Sequence, residues 1–187
     1  MSVNEGVPLI WIDCEMTGLN LPVDALIEVA VLATDENLNP IGEGVEVVIK
    51  PPVNALAQMG DFVRQMHTES GLLPLLDSGK TLSQAEELIL EYLEKSGVPA
   101  GKAPLAGNSL WLDRNFIARD LPRVNQYIHY RSVDVSSIKE LAKRWYPKAY
   151  FSAPEKSGNH RALGDVRDSI AELAHYRASI FRDLTNE

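Results

Sequence analysis

The chain is poor in cysteine, in basic residues and in long apolar runs, and each shortage excludes a class of protein. Cys14 is the only cysteine among 187 residues, which excludes an internal disulfide and a cysteine-rich zinc site. No apolar run approaches the ~18 residues that span a bilayer, so we expect no membrane segment. Residues 1–10 lack a basic segment followed by an apolar one, so we expect no signal peptide and a cytoplasmic protein.

Positive charge is also scarce, which limits the partners that the surface can hold. The chain contains 18 Lys and Arg residues against 26 Asp and Glu residues, a formal net charge of -8. Long nucleic acids are held by basic surface that neutralises many phosphates. We therefore expect no long nucleic acid as a partner, and a polyanionic substrate would be short or bound with the help of metal ions. The length suits a single domain that spans residues 1–187.

The order of strands and helices predicts the fold class. Three strands rich in β-branched residues are predicted near the amino terminus, at 9–16, 25–34 and 41–49. Two more strands follow at 103–108 and 127–135, and helical spacing of apolar residues predicts helices at 55–67, 82–95, 110–119, 137–145 and 161–181. Strands followed by alternating helices and strands predict an α/β domain with a mixed central sheet flanked by helices.

Local signals at the helix ends and in one loop complete the prediction. Capping boxes are expected where Ser83 precedes Glu86 and where Ser137 precedes Glu140. The segment 146–159 is rich in Pro, Gly and Ser and is predicted to be a loop.

The first predicted strand carries two acids in an apolar setting. Side chains alternate along a strand, so Asp13 and Glu15 point to the same face as Trp11. Their Cα atoms would lie roughly 6.6 Å apart, which lets both carboxylates reach one divalent cation. The alternative is a solvated strand face paired with Lys or Arg. The dense apolar flanks favour the cation site, because two buried carboxylates side by side are costly without a positive partner.

Two later segments contain further acids and a histidine at the starts of predicted helices. Asp113 follows a buried strand and, taken alone, is better explained as an acid in the first turn of a helix than as a metal ligand. Asp165 follows His160 by five residues, and its alternative role is a surface charge paired with Arg161 or Arg167.

Four carboxylates and one histidine together match the residues of a two-metal phosphoryl-transfer site. Carboxylate oxygens suit Mg²⁺ or Mn²⁺, so two such cations are the expected cofactors. A histidine with an ordinary pKa near 6.5 can accept a proton from an attacking water at neutral pH.

These acidic segments, in this order, resemble the three motifs of the DEDDh family of 3′→5′ exonucleases. The matches are DCE at 13–15, the aspartate of LDRNF at 112–116, and HRALGD at 160–165. Flanking segments narrow the resemblance to the oligoribonuclease branch of that family: WIDCEMTGL, MHTESGL, PAGKAPLAGNS, HYRSVDVSSIKELAKRW and HRALGDVRDSIAEL. The resemblance covers essentially the whole chain. It implies an RNase H-like exonuclease fold, a homodimer, and release of 5′-mononucleotides from very short RNAs, dinucleotides especially.

The resemblance also implies roles for individual residues. It assigns the metal ligands to four acids, Asp13, Glu15, Asp113 and Asp165, and the general base to His160. It implies that Leu19 and His67 pack against the two bases of the substrate. A cap over the 5′ phosphate is implied for Ser109, Arg131, Ser136 and Lys139, with Tyr130 supplied by the partner subunit. Phe62 stands where similar sequences often have Trp, and an aromatic face is kept.

Two other functions remain open at this point. A nuclease of the same family with a longer substrate, such as a proofreading or tRNA-trimming exonuclease, is disfavoured by the net charge of -8. A non-catalytic module that binds short oligonucleotides is disfavoured by the presence of all four acids and His160.

Overall fold

The computed structural model describes residues 6–156, 158 and 161–181, which fold around one five-stranded sheet. The strands are β1 (Leu9–Met16), β2 (Leu26–Thr34), β3 (Pro40–Val48), β4 (Pro104–Gly107) and β5 (His129–Asp134). Their order across the sheet is β3-β2-β1-β4-β5. The first three strands form an antiparallel meander, whereas β4 is parallel to both β1 and β5. The mixed sheet that the sequence predicts is confirmed, with β1 at its centre.

Helices cover both faces of the sheet. They are α1 (Val53–Gln58), α2 (Asp61–Glu69), α3 (Leu82–Lys95), α4 (Trp111–Asp120), α5 (Pro122–Tyr127), α6 (Val135–Trp145), α7 (Pro147–Phe151) and α8 (Ala162–Ser179), with a 3-10 turn at Leu73–Ser78. Within the part of the chain that the structure describes, no helix is long and apolar enough to cross a membrane.

The alternation of side chains along β1 divides the core into two layers. Ile10, Ile12 and Cys14 pack in the layer that contains α3, α4 and α5. Trp11 faces the other layer, where it lies in a cluster with residues of α6 and α8, and its indole nitrogen donates to Thr34 Oγ1 over 3.0 Å. Asp13 and Glu15 share the Trp11 face, so the fold directs both acids toward α8.

Both predicted capping boxes are wrong. Helix α3 instead begins with a capping box between Thr81 and Gln84. The carboxylate of Glu86 accepts the backbone N–H of Arg123 over 2.6 Å and does not cap its own helix. At the start of α6 the cap is Asp134, which accepts the backbone N–H of Ser136 over 2.9 Å.

Three helical segments also differ from the prediction. The helix expected at 55–67 is two helices, α1 and α2, separated at 59–60 where the backbone leaves the helical conformation. The loop expected at 146–159 contains the short helix α7. Helix α5 begins at Pro122, which lies in its first turn, whereas the sequence pattern predicted only the end of the preceding helix there.

Candidate active site

Three carboxylates from two elements converge at the end of the central strand. Asp13 and Glu15 lie near the end of β1, and Asp165 lies in the first turn of α8. One oxygen from each of the three lies within 4.8 Å of the others. All three side chains are half-buried. The predicted convergence of these acids is therefore present in the fold.

The fourth predicted acid joins this group through the backbone of β1. Asp113 lies in the first turn of α4 and is buried. Its Oδ1 accepts the backbone N–H of Cys14 over 3.0 Å. Because Cys14 lies between Asp13 and Glu15 on β1, this hydrogen bond holds Asp113 beside the strand that carries both acids. We call Asp13, Glu15, Asp113 and Asp165 the acid cluster.

Burial and mutual repulsion raise the pKa values of carboxyl groups in the acid cluster. Burial, followed by the charges of Asp113, Glu15 and Asp165, raises the pKa of Asp13 well above its usual range. Burial and the charge of Asp165 raise the pKa of Glu15 to about 8, and burial raises the pKa of Asp113 to about 6. Clustered oxygen ligands with raised pKa values fit a divalent cation, which would favour the ionised form of every carboxylate.

A buried ion pair that the sequence analysis missed secures the start of α8. Glu28 lies opposite Glu15 in the antiparallel register and is fully buried. Its carboxylate accepts from Arg161 Nη2 over 2.8 Å and from the backbone N–H of Ala162 over 3.0 Å. This contact fixes the first turn of α8, where Asp165 resides. The available signal was a lone glutamate inside the apolar strand β2.

The two histidines implied by the resemblance have different outcomes. His160 lies outside the described residues. His67 on α2 is fully buried, with Nε2 2.9 Å from the carbonyl oxygen of Met16 and Nδ1 3.9 Å from Glu15 Oε2. The structure therefore places His67 beside the acid cluster. The predicted contact of His67 with a substrate base would require part of the buried imidazole ring to become accessible.

Leu19 lies in the turn that follows β1 and is 73% exposed. Asp24 closes this turn by accepting from Thr17 Oγ1 over 3.0 Å and from the backbone N–H of Asn20 over 2.8 Å. A Cβ atom at Gly18 would collide with the Asp24 carboxylate, so a larger residue there would displace the side chain that closes the turn. The turn presents an apolar side chain to solvent immediately beyond the acid cluster.

A second group of polar side chains forms where β4, β5 and α6 meet. Asp134 accepts the backbone N–H groups of Ser109, Leu110 and Ser136 over 3.0, 3.2 and 2.9 Å. This clamp holds Ser109 with a φ of 56°, in the left-handed region that a serine seldom adopts. The hydroxyls of Ser109 and Ser136 then lie 3.1 Å apart.

Asn108, Lys139 and Glu172 extend this group toward α8. Lys139 Nζ lies 3.1 Å from Glu172 Oε1, and Ser136 Oγ donates to Asn108 Oδ1 over 3.0 Å. We call these residues the polar cluster: Asn108, Ser109, Asp134, Ser136, Lys139 and Glu172. The structure thus brings together three of the four predicted cap residues. Asn108, Asp134 and Glu172 were not predicted, because single polar residues in the sequence do not reveal their shared contacts.

The fourth predicted cap residue lies apart from these contacts. Arg131 on β5 is exposed, and its guanidinium carbon lies 5.5 Å from the ring centroid of Tyr130. Tyr130 is 75% exposed. These two side chains are accessible from outside the chain.

Comparisons with known proteins identify the family and the fold. The model of the RNase T exonuclease family matches residues 10–173. Oligoribonuclease of Streptomyces coelicolor is 60% identical over 173 residues, which cover 92% of this chain and 86% of that protein. Oligoribonuclease of Cutibacterium acnes is 59% identical over 169 residues, which cover 90% of this chain and 84% of that protein.

Solved structures of exonuclease I share the fold. Escherichia coli exonuclease I in complex with a dA16 oligonucleotide superposes with a TM-score of 0.72 at 18% identity, over 92% of this chain and 41% of that chain. Exonuclease I from Methylocaldum szegediense gives a TM-score of 0.64 at 23% identity, over 92% and 41% of the two chains. The chain spans about two fifths of the length of these structures.

The fold and the acid cluster define a nuclease of the RNase H-like exonuclease class, which confirms the predicted fold class. Among these enzymes, the chain belongs to the oligoribonuclease family.

Proposed function

We propose that this exonuclease removes 5′-mononucleotides from the 3′ end of very short RNAs, with dinucleotides as preferred substrates. The observation that carries the proposal is the convergence of Asp13, Glu15 and Asp165 within 4.8 Å, with Asp113 tied to the same strand. The oligoribonuclease relatives support a short RNA as the substrate. The net charge of -8 also favours a short substrate over a long one.

The four acids would bind two divalent cations, Mg²⁺ or Mn²⁺. Their hard oxygen ligands suit these ions, and the raised pKa values of Asp13 and Glu15 indicate that the site gains from added positive charge. Cations held by these carboxylates would supply positive charge that stabilises the negative charge developing on the phosphate oxygens during hydrolysis. The described residues supply the carboxylates and hold three of them close together.

His160 would act as the general base that accepts a proton from the attacking water. Support comes from its position in the chain, because it immediately precedes Arg161, which is anchored to Glu28. That anchor sets where the segment enters α8, and it keeps Asp165 at the acid cluster.

Substrate length would be selected by contacts at both ends of the substrate. Leu19 and His67 would contact the bases, and Leu19 is accessible to do so. Ser109, Arg131, Ser136 and Lys139 would cap the 5′ phosphate, since hydroxyls and cationic side chains bind phosphate oxygens well. A homodimer in the cytoplasm would complete the cap with Tyr130 from the second copy, and the high exposure of Tyr130 supports that role.

A comparison of substrate lengths tests the proposal. We expect kcat/KM for a 5′-phosphorylated diribonucleotide, measured with Mg²⁺ or Mn²⁺, to exceed that for a ten-residue RNA. The products should be mononucleotides with a 5′ phosphate. A preference for the longer RNA would favour a proofreading or tRNA-trimming type of nuclease. Binding of the dinucleotide without cleavage would favour a non-catalytic module, and either result would overturn the proposal.

A further inference from the structure

Glu172 is a buried carboxylate that lies between the two predicted ends of the substrate site. It is 3% exposed and sits on α8, two helical turns beyond Asp165. Its oxygens lie 3.1 Å from Lys139 Nζ and 3.6 Å from Lys156 Nζ. The two lysines come from different segments, α6 and the loop that precedes α8. A buried charge requires such compensation, so Glu172 determines where both ammonium groups lie.

Glu172 and the two lysines that contact it carry a net positive charge. Two ammonium groups meet one carboxylate, so Glu172, Lys139 and Lys156 together carry a net charge of +1. The lysine side chains are 37% and 41% exposed, whereas that of Glu172 is 4% exposed. The surplus charge is therefore on the accessible side, where an anion can reach it. Lys156 also acts on the acid cluster, because its charge opposes the rise in the pKa of Asp13.

A continuous series of hydrogen bonds joins Glu172 to both ends of the site. Asn108 Nδ2 donates to Glu172 Oε2 over 3.3 Å and to Ser169 Oγ over 2.7 Å. Ser169 Oγ in turn donates to the carbonyl oxygen of Asp165 over 2.9 Å. At the other end of the amide, Asn108 Oδ1 accepts from Ser136 Oγ. The amide of Asn108 thus connects the residue that bears a catalytic carboxylate with the hydroxyls of the predicted phosphate cap.

We propose that Glu172 and Asn108 are positioning residues that hold Lys139 and Lys156 at a set distance from the acid cluster, so that the site selects a substrate with one nucleoside between its 5′ phosphate and its scissile phosphate. This inference rests on the proposed function. It assigns Lys156 as an additional phosphate-binding group, and it explains length selection by the spacing of two anchored sites. A longer RNA places an internal phosphodiester with a single charge at this position, where a dinucleotide places a terminal phosphate with a charge of about -1.5 to -2, so the longer RNA gains less from the two lysines.

The substitution Glu172→Gln tests the inference because it removes the charge and keeps the shape of the side chain. Without the carboxylate the lysines lose their anchor, so kcat/KM for a 5′-phosphorylated diribonucleotide should fall about tenfold or more. The same diribonucleotide with a 5′ hydroxyl, and a five-residue RNA, should each lose less than about threefold. Lys156→Met should give the same pattern, and Glu91→Gln and Lys95→Met, which break an exposed pair on α3, should give none.

A binding measurement separates positioning from general damage to the enzyme. The ligand is a diribonucleotide analogue in which a methylene group replaces the bridging 3′ oxygen, with and without a 5′ phosphate. Wild-type protein should bind the phosphorylated form more tightly, and Lys156→Met should remove most of that difference. Lys156→Met also serves if Glu172→Gln does not fold, since it changes an exposed side chain.

The outcomes distinguish this inference from the proposed function. If wild-type protein shows no preference for short or 5′-phosphorylated substrates, the proposed function fails and the inference fails with it. If wild-type protein shows the preference and both variants keep it, only the inference is wrong. Equal losses on all three substrates would also overturn it, because they would indicate a structural role.

Discussion

The acid cluster and the polar cluster are joined by one series of hydrogen bonds, yet they differ in how their charges are balanced. In the acid cluster, carboxylates lie within 4.8 Å of one another, and burial and repulsion raise their pKa values. In the polar cluster, donors meet acceptors, as where Asp134 accepts three backbone N–H groups. The first arrangement would be stabilised by a bound cation, whereas the second is balanced by groups of the chain itself. The comparison supports the proposal that chemistry depends on a bound cation and that substrate selection depends on side chains positioned by packing.

The largest expected effect comes from removing an acid at the centre of the acid cluster. Asp13→Ala should lower kcat by at least about 10³-fold, since a ligand for the cations is lost. The fold should survive, because the substitution also removes a buried charge that its neighbours repel. Turnover of a diribonucleotide and thermal unfolding in a chelator measure the two effects. A variant that unfolds cooperatively like wild type and retains its activity would contradict the comparison.

His160→Ala should have the next largest effect. Loss of a general base is expected to reduce kcat by about 10²–10⁴-fold, while the affinity for Mn²⁺ stays at the wild-type value. The pH dependence of kcat should also lose the limb that reports the base. A large loss of Mn²⁺ affinity would instead make His160 a metal ligand or a structural residue.

Arg131→Ala tests the predicted cap over the 5′ phosphate of the substrate. Because a dinucleotide makes few phosphate contacts, loss of one charge-assisted contact should reduce its kcat/KM by about 10–100-fold. A longer RNA should be affected less. Arg123→Ala, at an exposed arginine on α5, is the matched control and should leave both substrates unchanged. An equal loss on both lengths would remove Arg131 from the cap.

The last prediction concerns stability and pH in protein freed of metal and does not involve catalysis. The pKa of Glu15 is raised to about 8 in the folded state, so the folded protein holds a proton that the unfolded chain releases from about pH 4.5 upward. Stability should therefore fall as pH rises through this window, by up to about 1.4 kcal/mol per pH unit for this one group. Added Mg²⁺ should raise the unfolding temperature more at pH 8 than at pH 5.5. A stabilisation that does not grow with pH would contradict the account of the acid cluster.

The sheet could be predicted because each early strand carries its own signal. The predicted strand at 9–16 matches β1, and the predicted strands 25–34 and 41–49 match β2 and β3 within a residue at each end. The residues that cap the helices were predicted poorly, because tertiary contacts compete for the same side chains. Glu86 was expected to cap its own helix, but a tertiary contact with Arg123 takes its carboxylate.

The candidate site was predicted to the extent that its residues occur in contiguous motifs. Asp13 and Glu15 could be paired from strand alternation alone, whereas Asp113 and Asp165 needed the family resemblance to be preferred over ordinary helix acids. Glu28 lies beside the site because the antiparallel register pairs it with Glu15, and this register could not be read from the sequence. Glu172 and Asn108 depend on the meeting of α6, α8 and the end of β4, so only the fold reveals them.

Titration of metal-free protein with Mn²⁺ is the most direct test that the acid cluster is the cation site. We predict that wild-type protein binds Mn²⁺, that Asp13→Asn weakens the affinity at least about tenfold, and that Glu91→Gln on the exposed face of α3 leaves it unchanged. Equal Mn²⁺ affinity in wild-type protein and Asp13→Asn would contradict the assignment of the acid cluster as the metal site.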